Sequence, residues 1–151
     1  MWLAIFYWVH LLATTVWVGG LVFTALIALP AWRKNSLSEN QWLDLQKRLL
    51  PYVNGAMALL WITGFVQMTN HPNYNGFLII DSRWAVAISL KHVAAIALSA
   101  ITLYIQFALF PNIERDQLLG QASTEQTTRF LWINLLLASI VLLFTAIASV
   151  S

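Results

Sequence analysis

The chain has 151 residues, of which 60% are hydrophobic and only 9% charged, and its mean hydropathy is +0.71. A soluble domain carries about 25% charged residues, and six acids with eight bases cannot cover a water-soluble globule of this size. A soluble enzyme, a disordered tail and a nucleic-acid-binding module are therefore excluded, and the pI of 9.2 reflects a net charge of only +2. The lack of cysteine in the sequence further excludes a disulfide framework, a thiolate metal site and covalent c-type haem attachment.

A membrane-spanning helix needs about 20 mainly apolar residues at a rise of 1.5 Å each. Four stretches meet that requirement: about 2–30, 50–68, 84–110 (ended by Pro111) and 128–150. The expected fold is all-α, a single membrane domain over 1–151 built as an up-and-down four-helix bundle in the lipid bilayer. No basic segment precedes the first stretch and its apolar run is long, so it reads as a retained span rather than a signal peptide. Arg33, Lys34, Lys47 and Arg48 lie between spans one and two, and Arg115 and Arg129 flank the connection between three and four. The opposite side has Arg83 and the amino terminus. By the positive-inside rule, a multi-pass protein of a bacterial inner membrane is expected, with both termini and the loop Thr69–Arg83 on the periplasmic side.

Between spans one and two, Ser38 and Gln41 have the spacing of a capping box. Trp42, Leu45 and Leu49 follow at helical intervals. Two readings stay open: a short amphipathic helix lying on the membrane surface, or an extension of span two bent near Pro51. No internal repeat is visible; spans one and three share only a histidine at similar depth.

Three ionisable groups fall inside spans, where charge is costly and side chains face the bundle interior: His10, Lys91 and His92. At 100° per residue His10 shares a face with Thr14 and Trp17, and His92 shares one with Ser99 and Gln106. Asn54, Trp61 and Met68 form a stripe on span two with Met57 and Gly64 beside it, and span four contributes Asn134 and Thr145. Each helix thus carries a weakly polar stripe for a bundle to turn inward. His10 is eight residues past Trp2 and His92 eight past Trp84, so both lie roughly 12 Å below the outer boundary. Spans one and three are diagonal in an up-and-down ring. Two imidazoles opposed at one depth suit axial ligation of a b-type haem.

His10 and His92 are therefore the expected iron ligands, with Trp17, Trp61, Thr14, Ser99 and Lys91 around the cofactor. Against this stands a packing reading in which Thr14, Ser99 or aromatic neighbours satisfy two buried histidines. Lys91 points about 100° away from His92. It either pairs with a haem propionate or substrate carboxylate, or snorkels to the interface. His71, in the loop His-Pro-Asn-Tyr-Asn-Gly, reads as a solvated turn residue. Gly19 and Gly20 permit close helix approach, and Arg129 reads as a basic residue at the inner boundary.

The segment WVHLLATTVWVGGLVF, with His10, Trp17 and Gly19-Gly20 in that order, resembles the opening of the copper resistance protein D (CopD) family and of HemJ-type protoporphyrinogen oxidases. QKRLLPYVNGAMALLWITGF is similar to their basic-Leu-Leu segment and Trp-x-x-Gly pattern. RWAVAISLKH resembles their Trp-to-Lys stretch with Lys91 on the matching lysine, and RFLWINLLL is similar only in placing Arg before Asn. The resemblance implies a four-helix, haem-binding membrane protein with His10 and Lys91 on important positions. Two departures stand out. The Leu-Pro-Arg that follows the first motif in HemJ-type proteins is replaced by Ala-Leu-Pro30-Ala-Trp32-Arg33. Within these 151 residues there are also no extra spans or large partner domain of the copper resistance kind.

Three functions are weighed. The first is a haem b redox protein, an oxidoreductase or electron carrier working with a quinone, a porphyrin-like substrate or a partner subunit; HemJ-like protoporphyrinogen oxidation belongs here. The second is a copper-handling protein using Met57, Met68, His10, His71 and His92, since copper(I) accepts thioether and imidazole ligands. The third is a structural accessory subunit whose polar stripes serve helix packing, in a larger complex or a homo-oligomer.

Overall fold

The computed structural model describes residues 1–76, 80, 82–118 and 124–150. Positions 77–79 and 81 of the loop between spans two and three lie outside the described residues. Four helices are long and apolar enough to cross a membrane, and no strand occurs among the described residues. They are α1 (Trp2–Arg33), α2 (Glu39–Thr69), α3 (Arg83–Ile113, with helical geometry running on to Leu118) and α4 (Thr124–Ser149). The chain is a multi-pass membrane protein folded as a four-helix bundle.

The first hairpin is set by local chemistry. Asn35 takes a left-handed conformation (φ 57°) just past α1. Its N–H donates to the Trp32 carbonyl (3.0 Å) and that of Ser36 to the Ala31 carbonyl (2.9 Å), closing the helix end. Ser38 then caps α2: its Oγ accepts from the Gln41 N–H (3.3 Å), and Gln41 Oε1 accepts from the Ser38 N–H (2.9 Å). The expected capping box is present. The segment after it is not a separate surface helix but the first turns of α2, continuous through Pro51. Trp42, Leu43 and Gln46 are buried in the bundle, and Trp42 stacks on Trp32 (centroids 4.7 Å, planes 9° apart). That stack fastens the segment to the end of α1 instead of leaving it on the bilayer.

Pro111 does not end the third span, and α1 likewise continues beyond Pro30. Proline removes a backbone N–H and crowds the carbonyl four residues back. Each helix responds with a π-helical turn just ahead of its proline, at Thr24–Ala28 and Ile105–Leu109. There the Leu29 N–H reaches the Thr24 carbonyl and the Phe110 N–H reaches the Ile105 carbonyl, five residues back. The two helices therefore share an order (histidine, π turn, proline) that their sequences conceal.

α1 packs along α2, and α3 along α4; the two pairs meet through α1 with α4 and through α2 with the far end of α3. Lipid supplies no hydrophobic drive between helices, so interfaces rest on small residues and interhelical hydrogen bonds. Ala13, Ala25, Ala28, Ala56, Ala94 and Ala138 are all buried. Leu11, Phe107 and Leu136 point outward as a lipid-facing surface, each more than 60% exposed. Polar bonds cross three interfaces: Gln67 to the Phe6 carbonyl (3.1 Å) and His10 to Thr63 (2.8 Å) between α1 and α2, Trp61 to Ser99 (3.2 Å) between α2 and α3, and Asn134 to Thr102 (2.9 Å) between α3 and α4.

Candidate functional site

His10 lies eight residues into α1 and His92 nine residues into α3, so each ring sits about 12–13 Å from the start of its helix. The depth match read from the sequence carries over to the helices as they form. Lys91 precedes His92 on α3 and is half-buried.

The tautomers follow from the hydrogen bonds. Thr63 Oγ1 gives its one hydrogen to the Leu59 carbonyl (2.6 Å). It can therefore only accept from His10 Nδ1, 2.8 Å away. His92 Nδ1 lies 2.7 Å from the Ile88 carbonyl oxygen, which is also only an acceptor. In its neutral form each imidazole thus carries its proton on Nδ1 and its lone pair on Nε2. Neither Nε2 has a hydrogen-bond partner among the described residues. An imidazole anchored by Nδ1–H on an oxygen, with Nε2 free, is the arrangement of a metal-ligating histidine and its supporting shell.

α2 touches both rings. Thr63 faces α1, and a Cβ added at Gly64 would lie 3.4 Å from His10 Cε1, so the missing side chain leaves room for the ring. Trp61 faces α3: its indole N–H donates to Ser99 Oγ, and its ring lies 6.3 Å from that of His92, tilted by 52°. Ser99 passes its own hydrogen to the Ala95 carbonyl (2.8 Å).

Of the residues expected around the cofactor, Trp61, Ser99 and His92 meet between α2 and α3, and His10 meets α2 at Thr63. The Thr14 hydroxyl is spent on the His10 backbone carbonyl (2.8 Å). Trp17 is buried seven residues further along α1, where it lines a separate cavity. Thr63 was missed, because the Asn54–Trp61–Met68 stripe turns a different side of α2 inward. An α-helix in the corner of a bundle touches two neighbours, and Thr63 serves the second.

His71 opens the turn that follows α2. Its half-buried ring stacks on Trp84 (4.3 Å, 11°) and its Nδ1 accepts from the Asn73 N–H (3.2 Å). Met68 is buried with Trp84 in a second apolar cluster. No group of three or more His, Cys, Asp or Glu side chains able to hold a metal ion occurs among the described residues.

Neither the curated proteins nor the solved structures include a match to this chain. A family model described as a domain of unknown function (DUF4149) matches residues 12–121, starting two residues after His10 and including Lys91 and His92. That match covers well over half of the sequence, and the chain belongs to the DUF4149 family.

Proposed function

We propose that this chain is a b-haem-binding membrane redox protein in which His10 and His92 would hold the iron through Nε2. One observation carries the reading: both histidines are fixed with Nδ1–H on an acceptor and Nε2 unpartnered. Both rings are half-buried, and neither Nε2 is sealed in the interior. The resemblance to CopD and HemJ-type proteins points the same way. When bound, a b-type haem supplies one-electron chemistry. Thr63 and the Ile88 carbonyl orient the ligating rings, Trp61 buttresses His92, and the Lys91 ammonium is the counter-charge for a propionate. Ligation by two imidazoles would favour electron transfer over oxygen activation. The electron donor or acceptor would be a quinol or porphyrin-like molecule, or a partner subunit.

The test is an optical spectrum of the protein purified after expression with haem supplied. A Soret band, a sharp α band on reduction and a low-spin resonance are expected; a protein without haem overturns the reading. The same spectra on Lys91→Met, which keeps the apolar stem, should show weaker haem retention. Full haem content and activity in that variant would assign Lys91 to snorkelling at the interface.

We further infer that the end bearing both termini faces outward across a bacterial inner membrane. This rests on six basic residues around the two connections at the other end, against Arg83 in the loop. Single cysteines at Asn40 and Asn75 should differ toward an impermeant thiol reagent on intact cells, with Asn75 labelled and Asn40 protected. The reverse pattern inverts the orientation.

A further inference from the structure

A cavity that the histidine cluster does not use lies between all four helices, toward the end carrying Arg33 and Arg129. Its apolar walls include Trp17, Leu21, Val53, Ile105 and Phe110. The cavity proper measures about 60 Å³ and opens at a mouth between the helices.

Three amides project into it from three helices: Gln46 of α2, Gln106 of α3 and Asn134 of α4, which are 6%, 9% and 2% exposed. Each has a buried polar atom without a partner, namely Gln46 Nε2, Gln106 Oε1 and Asn134 Oδ1. The Asn134 orientation is fixed by its neighbour. Thr102 Oγ1 gives its hydrogen to the Leu98 carbonyl (2.8 Å) and so can only accept, which it does from Asn134 Nδ2 (2.9 Å). Asn134 Oδ1 is thereby the atom left over. Folded proteins rarely bury polar atoms unpaired, and such groups call for an occupant. Both π turns open onto the same space, through Thr24 in α1 and through Ile105 and Gln106 in α3. π-helical turns are frequent at functional sites.

We infer that this cavity binds the headgroup of a neutral hydroxyaromatic lipid of the quinol class. No ionisable side chain lines it among the described residues, so a phosphate, carboxylate or ammonium would lose its hydration without meeting a counter-charge. The unpaired atoms ask for one acceptor, at Gln46, and two donors, at Gln106 and Asn134. A hydroquinone offers two O–H donors as well as oxygen lone pairs. The oxidised quinone offers acceptors alone and satisfies only Gln46, so the cavity selects the reduced form. The choice of a redox-active headgroup rests on the redox reading above, whereas binding here does not require the haem.

The experiment is calorimetric titration of the purified protein in lipid nanodiscs with a short-chain benzoquinol, kept reduced, and with the corresponding benzoquinone. Haem content is recorded on the same samples. The quinol should bind at least tenfold more tightly than the quinone. Gln106→Leu and Asn134→Leu should each weaken quinol binding at least tenfold without changing haem content. Gln106→Leu exchanges an unpartnered amide for an apolar group of similar size, so its Tm should hold or rise and loss of fold cannot imitate loss of binding. Absence of saturable quinol binding, equal affinity for the two oxidation states, or variants that bind like the parent overturns the inference. Quinol binding to protein without haem supports this site and removes the haem reading; haem-loaded protein that ignores quinol does the reverse.

Discussion

Replacement of His10 or His92 singly by alanine is expected to lower haem content at least tenfold, the largest effect of any single change in the protein. On the proposed reading each ring would hold the iron through Nε2, and each has its own acceptor at Nδ1, 2.8 Å away for His10 and 2.7 Å for His92. Any haem retained by a single variant should be high-spin, since one axial position is then open. Haem content and the electron paramagnetic resonance spectrum read the two effects separately. A loss at His10 with none at His92 removes the bis-histidine assignment and leaves an open coordination site. No loss in either variant removes ligation by this pair.

Thr63→Val should weaken haem binding by about 10–100-fold, the range typical for loss of a ligand's supporting hydrogen bond. Valine keeps the shape of threonine and removes the Oγ1 that accepts from His10 Nδ1. The buried N–H is then unsatisfied, at a cost of about 1–3 kcal/mol, and the ring is free to move its proton to Nε2, the nitrogen needed for ligation. Thr63→Ser restores the hydroxyl and should rescue binding, which a purely steric role for the methyl group would not permit. His92 has no equivalent variant. Its acceptor is the backbone carbonyl of Ile88 in its own helix, which no side-chain substitution removes. Equal haem affinity in Thr63→Val and its parent would show that the His10 tautomer is set elsewhere.

The readable part of the candidate site was its composition. An ionisable group inside an apolar run is conspicuous against its neighbours, so His10, Lys91 and His92 stand out by residue type alone, and counting at 1.5 Å per residue gives their depth. Trp61 and Ser99 follow from stripes at seven-residue spacing. Partners are another matter. Thr63 meets His10 across 53 positions of sequence and Trp61 meets Ser99 across 38; no periodicity within one helix specifies either pairing. Thr14 shows the opposite error: it shares the His10 face, yet its hydroxyl turns back to the carbonyl four residues before it.

The sequence by itself determined the solvent, the number of spans, the capping box at Ser38 and the depth of the two histidines. These depend on composition, on rise per residue and on contacts within four positions, all of which are local. The tertiary structure alone decided that the segment after Ser38 belongs to α2, because Trp42 finds Trp32 across the hairpin. It also decided that Pro30 and Pro111 are carried by π turns and not by helix ends, and that Gln46, Gln106 and Asn134 converge on one cavity. In a bilayer the hydrophobic effect puts residues into the membrane but does not tell one apolar helix which face of another to choose. That choice rests on close packing at buried alanines and on a few hydrogen bonds between distant residues, whose geometry exists only once the helices have met.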